Sequence, residues 1–239
     1  MRLVMAKQHG AWAMLLLPFF MGVFLGQPTI IHIPLFIAWL FLYLATYPLL
    51  MCLKKRKVPF YLKWFSIYFS PAFIILIYLI IVDYKLLYFG LAMVPFFMIN
   101  GYFSKNKQER ALLNDIAAII SFCIGGLASY YMGTGQLDTV AFLLFLVNFL
   151  YFLGSTFYVK TMIREKKNVK YKYVSWGYHI GLVAILVIIG YWQFAISFLP
   201  SVLRAILFYG KKITIKTIGI YEIGNAIFFF IVMFIVLSN

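Results

Sequence analysis

The sequence predicts an all-α fold, a polytopic transmembrane helix bundle of about nine spans in a single integral membrane domain over 1-239. Three observations predict it. The chain is 65% hydrophobic and only 11% charged, where a soluble domain carries roughly 25% charge, so too little polar surface remains to coat a water-soluble globule. Apolar blocks long enough to cross a bilayer recur from end to end. Once these blocks are threaded back and forth, twenty of the 21 Lys and Arg residues fall on one side, and Lys85 alone falls on the other.

The first block, Gly10–Gly26, follows Arg2 and Lys7. It is read as a retained span, because Gln27-Pro28-Thr29 and another apolar block follow it and a small-residue cleavage site does not. Ile30–Cys52 returns to the basic side, where Lys54, Lys55, Arg56, Lys57 and Lys63 lie. Trp64–Val82 and Leu86–Phe103 form a pair around the turn Asp83–Lys85. Ala111–Met132 follows Lys105, Lys107 and Arg110, and its Gly125, Gly126, Ser129 and Gly133 allow close helix contact. A Gly-Thr-Gly-Gln turn at 133–136 leads into Thr139–Val159.

The stretch Val174–Tyr209 is long for one span. At 1.5 Å per residue, a single helix would overshoot the hydrocarbon core. It would also move Lys211, Lys212 and Lys216 to the wrong side. Two helices, Val174–Gly190 and Trp192–Tyr209, satisfy both constraints, with eight spans as the alternative. Ile218–Leu237 closes the bundle. A β-barrel would need apolar segments of about ten alternating residues, which this sequence lacks. The charge pattern places the N-terminus in the cytoplasm and the C-terminus outside.

The net charge of +15 is spread in short clusters beside apolar blocks. That pattern suits anionic lipid headgroups and a bilayer rather than nucleic acid. Cys52 and Cys123 have no motif spacing, so neither a disulfide framework nor a zinc site is indicated. No Walker loop and no Asp-rich cluster is present, and the sequence names no cofactor.

Ionisable groups in spans are costly and usually face the bundle interior, which makes each a site candidate. Glu109, Asp115, Glu165 and Glu222 all fall near the basic mouth, with His9, Asn100, Arg110, Asn114, Ser155, His179, Arg204 and Asn225 at that level or slightly deeper. Arg110 and Asn114 are four apart and share a helix face, with Asp115 one step round. They suit a polar pocket for a cation or headgroup, or else a plain helix start with Arg110 snorkelling. Tyr151, Ser155, Tyr158, Met162 and Glu165 make one stripe running out of the core, flanked by a basic stripe of Lys160, Arg164 and Lys167. The basic stripe could bind a phosphate, with Arg supplying bidentate contacts, or anchor the helix. Arg204 and Glu222 can approach if the last two helices are antiparallel neighbours, as a structural pair or as an anion site. His179 has a cross-helix hydrogen-bonding reading beside the functional one.

The strings Gln8-His9-Gly10-Ala11-Trp12-Ala13-Met14, Glu109-Arg110-Ala111-Leu112-Leu113-Asn114-Asp115, Tyr158-Val159-Lys160 with Ile163-Arg164-Glu165, and Gly219-Ile220-Tyr221-Glu222-Ile223 resemble the YwiC-like family of bacterial membrane proteins. The resemblance runs along essentially the whole chain and implies a bacterial cytoplasmic membrane. The architecture is also distantly similar to the UbiA prenyltransferases, whose nine helices work at cytoplasmic loops through Asp-rich, magnesium-holding motifs. Here the first such loop reads Lys54-Lys55-Arg56-Lys57-Val58-Pro59 and the second offers only Glu165. Carboxylates are what hold magnesium, so the resemblance implies the arrangement without that chemistry.

Three functions follow as expectations, with enzymatic activity left open. The first is binding or handling an amphiphilic lipid or isoprenoid with an anionic head at the cytoplasmic mouth. The second is transport of a small solute, and the third is an accessory role with a protein partner on the basic face.

Overall fold

The computed structural model describes residues 4, 5 and 9–238, with the side chain of His9 outside the described set. Among the described residues it contains nine α-helices: α1 His9–Leu25, α2 His32–Leu53, α3 Val58–Val82, α4 Leu86–Lys105, α5 Leu112–Thr134, α6 Thr139–Val159, α7 Val169–Ile188, α8 Trp192–Leu207 and α9 Ile215–Ser238. A π-helical turn, Lys160–Arg164, continues α6. Seven helices, α2 to α7 and α9, are long and apolar enough to cross a membrane. The other two, α1 and α8, have 17 and 16 residues. They span about 25 Å, short of a hydrocarbon core of about 30 Å.

The stretch 174–209 breaks. Its chain turns at Gly190, whose φ of +86° is open to glycine at no steric cost. The single long helix of the eight-span alternative does not form. Three helices start earlier than the hydrophobic blocks suggest. Pro59 stands in the first turn of α3, where its fixed φ favours helix and its missing N–H is no loss, so Lys63 lies inside the helix. Asn168 caps α7 by accepting from the Lys170 N–H at 3.2 Å, which brings Lys170 and Lys172 into the helix. On α9 the helix reaches back to Ile215, where the Thr214 hydroxyl accepts from the Thr217 N–H at 3.2 Å.

The chain forms two compact units, Met1–Phe145 and Leu146–Asn239, and α6 runs from the first into the second. In the first unit α2 packs on α3, and α5 is packed by both α1 and α4. The α1–α5 approach is a backbone contact. A Cβ on Gly133 or Gly22 would run into the carbonyls of Gly26 and Gly126, and one on Gly26 would lie 2.6 Å from the Tyr130 carbonyl. Ser129 donates to the Phe19 carbonyl at 2.9 Å inside this contact. Trp39 of α2 covers Gly125 and donates to the Leu15 carbonyl at 3.2 Å. Small residues with hydroxyls in the seam are how apolar helices associate when no water is present to drive them together.

The turns of this unit sort to two ends. At one end the α3–α4 turn meets Tyr131 through Asp83, and Asp138 meets Tyr130. His32 there donates to the Ser129 carbonyl at 2.9 Å. At the other end Lys54 pairs with Glu109, joining the α2–α3 and α4–α5 loops.

In the second unit α8 packs between α7 and α9. Trp176 donates to the Ala205 carbonyl at 2.8 Å, and Tyr178 donates to the Leu150 carbonyl at 2.8 Å. Lys172 lies 4.4 Å from the centre of the Trp176 ring and 4.9 Å from that of Tyr209, so α7 begins where α8 ends. The short helix α8 turns mostly small and polar residues inward: Ala195, Ser197, Ser201, Arg204 and Ala205 are buried together with Phe198, while Leu199, Leu203 and Leu207 are exposed. That is the reverse of a soluble amphipathic helix and suits an apolar surround.

Candidate functional site

The polar candidates gather in two places, one in each unit. In the first unit Asn100, near the end of α4, donates from Nδ2 to both Oδ1 and the backbone carbonyl of Asn114, each at 2.9 Å. Asn114 stands two residues into α5 and donates in turn to the Glu109 carbonyl at 2.9 Å. Helix α5 starts at Leu112 with no side-chain cap, and Ala111 is extended, so Asn114 takes up a loop carbonyl from inside the helix. Glu109 itself pairs with Lys54. Arg110 is exposed and Asp115 half-buried. An apolar groove of about 420 Å³ opens directly beside this clamp, lined by Phe96, Ile99 and Phe103 of α4 and Leu113, Ile116 and Ile120 of α5. Ile99 and Leu113 are the chain neighbours of Asn100 and Asn114.

In the second unit three helices each contribute a polar stripe to one seam. From α8 come Ser201 and Arg204, from α9 Glu222 and Asn225, and from α6 Tyr151, Ser155 and Tyr158. Arg204 is 5% exposed and pairs with Glu222, which also accepts from the Ser155 hydroxyl. The Arg204 guanidinium lies over the Tyr158 ring, 4.6 Å from its centre. Deeper in the seam, Asn225 donates to the Tyr151 hydroxyl at 2.9 Å and to the Ser201 hydroxyl at 3.0 Å. On α7 His179 is buried, with Nδ1 2.6 Å from the Ser175 carbonyl and Nε2 turned toward Gly154. A buried cation needs a partner of opposite charge to persist in such a place, and Glu222 supplies it.

A family model described as YwiC-like protein matches residues 5–130. The chain is 48% identical over 234 residues to the uncharacterized protein YwiC of Bacillus subtilis (strain 168), covering 98% of both chains. The chain belongs to the YwiC-like family. An uncharacterized protein of Haemophilus influenzae is 37% identical, over 98% of this chain and 99% of that one. No solved structure matches this YwiC-like chain.

Nine of the thirteen candidate residues of this YwiC-like protein fall in these two places. Asn100, Glu109, Asn114 and Lys54 form one hydrogen-bonded group, with Arg110 and Asp115 beside it in the chain. Ser155, Arg204 and Glu222 form the other, with His179 across Gly154. Glu165 accepts from the Asn168 side chain at 3.1 Å, and Arg164 is exposed. At the π-helical turn that ends α6, Tyr158 and Met162 pack in one buried cluster and Glu165 follows the turn, while Lys160 is 3% exposed and Arg164 and Lys167 are exposed. The His9 side chain lies outside the described residues.

Ser201 and Lys54 are not among the ligand-binding candidates that the sequence offers. Ser201 sits three residues before Arg204, a spacing that puts both on one helix face, so that signal was present. Nothing local links Lys54 to Glu109, 55 residues away. Among the described residues no group of three or more His, Cys, Asp or Glu side chains comes together to hold a metal.

Proposed function

We propose that this membrane protein binds an amphiphilic lipid or isoprenoid, with its anionic head at the cytoplasmic ends of α4 and α5 and its chain in the groove between them. The observation that carries the reading is the junction of two surfaces, the apolar α4–α5 groove and the Asn100–Asn114–Glu109 clamp, which share Ile99–Asn100 and Leu113–Asn114. Lys105, Lys107 and Arg110 are exposed around that mouth, and each basic residue near an anionic head contributes about 1 kcal/mol. Met98, Tyr102 and Leu113 on the groove walls are exposed apolar surface of helices that face lipid. The distribution of Lys and Arg supports an orientation with the basic loops in the cytoplasm.

The test is native mass spectrometry with lipid identification on gently solubilised protein, comparing the wild type with Leu113→Trp, which fills the groove, and Asn114→Ala, which opens the clamp. The expected result is a stoichiometric anionic lipid lost in both variants. Equal lipid retention in the wild type and both variants refutes the reading.

A further inference from the structure

The seam of the second unit contains polar atoms that its own hydrogen bonds leave unmet. Glu222 takes Nη1 of Arg204. Tyr151 stabilises the guanidinium through its charge and through a side-chain hydrogen bond, yet neither Nε nor Nη2 meets a partner at good hydrogen-bond geometry. The Tyr158 hydroxyl, in a residue 1% exposed, also has none. Nor does Nε2 of His179, in a residue 3% exposed. Because Nδ1 of His179 reaches the Ser175 carbonyl, the ring proton sits on Nδ1 and Nε2 presents a bare lone pair. These atoms belong to neighbouring side chains. Arg204 lies over the Tyr158 ring, and Gly154, which faces His179 Nε2 at 3.2 Å from where a Cβ would stand, precedes the Ser155 that holds Glu222.

A buried donor or acceptor left unmet loses its full hydration, and native interiors seldom tolerate several together. The set here is specific. Nε and Nη2 form the side-on fork of arginine, which fits two oxygens of one oxyanion. A bare imidazole nitrogen asks for an O–H or N–H, and a phenol can serve either partner.

We propose that this seam is a binding site for a small oxyanion that also bears a hydrogen-bond donor, the class of hydrogen phosphate, phosphate monoesters and hydroxycarboxylates. Two oxygens of the guest engage the Arg204 fork, its hydroxyl donates to His179 Nε2, and the Tyr158 hydroxyl closes the set. Glu222, held by Ser155, stays on Nη1 and keeps the arginine oriented. The site lies on α6 to α9 and is separate from the α4–α5 groove, so it stands or falls apart from the lipid reading.

Calorimetric titration of the full-length protein tests it with three probes: inorganic phosphate, lactate, and phosphatidic acid presented in nanodiscs. Arg204→Lys keeps a cation for Glu222 but loses the fork. His179→Phe removes the lone pair, and Tyr158→Phe removes only a hydroxyl and preserves the packing. At least one probe binds the wild type, and each variant weakens that binding about tenfold or more, while Gly219→Ala, in open space on α9, leaves it unchanged. Binding of phosphate or lactate identifies a soluble guest; binding of phosphatidic acid alone identifies a lipid headgroup as the source. Absence of binding by all three probes overturns the proposal, as does unchanged affinity in the folded variants.

Discussion

The hydroxyl of Tyr131 donates to Oδ2 of Asp83 at 2.8 Å and ties the last turns of α5 to the α3–α4 turn. Its chain neighbour Tyr130 does the same for the next turn, donating to Asp138 at 2.8–2.9 Å. One helix end thus holds two loops through adjacent phenols that point in different directions. Hydrogen bonds to carboxylates contribute about 1.5–3 kcal/mol when well shielded. At these partly exposed turns the lower end applies, so Tyr131→Phe and Tyr130→Phe each lower stability by roughly 1.5 kcal/mol. Thermal unfolding in detergent reads the loss, and a double variant adds both effects because the carboxylates are separate.

Asp138 makes that end sensitive to acid. Burial opposes its ionisation, but the Ala141 N–H and the Tyr130 hydroxyl outweigh burial and hold its carboxyl below the ordinary value of 3.8. A depressed folded value means that its contribution is complete above 3.8 and is lost as pH falls below it. The melting temperature of the wild type therefore falls more steeply than that of Asp138→Asn as pH is lowered from about 5 to about 3. Parallel curves would show that Asp138 contributes nothing.

The glycine contacts between α1 and α5 leave no room for a side chain. Gly133→Ala places a methyl against the Gly26 carbonyl, which is rigid backbone. Overpacking of this kind costs about 1–3 kcal/mol where neighbours can yield and more where they cannot, so the variant melts lower than the wild type or fails to fold. Gly219→Ala, in open space on α9, is the matched control and melts close to the wild type.

Removing one member of the Arg204–Glu222 pair strands the other in an apolar setting. Arg204→Ala should cost about 3–5 kcal/mol, whereas Arg204→Met with Glu222→Met should cost far less, since a buried ion pair is often replaceable by apolar groups. Chemical or thermal unfolding of the two variants side by side measures the difference. Equal losses would mean that the pair stabilises outright and that the stranded charge is not what costs.

The helical architecture was readable because the bilayer imposes length and hydropathy on each helix, and because Gly190 with the lysines at 211, 212 and 216 forbids one helix across 174–209. Helix starts were less readable. Pro59 and Asn168 extend α3 and α7 into basic segments that hydropathy assigns to loops. Among the site residues, Asn100 and Asn114 stand at facing helix ends of a short connection, which local reasoning can reach. Lys160 could not be reached that way, because whether a π-turn forms depends on packing around it and not on its own five residues. The role of Tyr158 as a platform under Arg204 depends on two helices 46 residues apart in sequence.

The seating of α1 on α5 also sets a timetable. Ser129 and the Phe19 carbonyl that it meets are 110 residues apart, and ribosomes add roughly 5–20 residues per second. During synthesis the first helix therefore leaves the ribosome about 5–20 s before its partner exists. For that interval α1 has α2 beside it, through Trp39 and Phe36, while Gly22 and Gly26 wait uncovered for α5. The first unit therefore closes only after its fifth helix has been made.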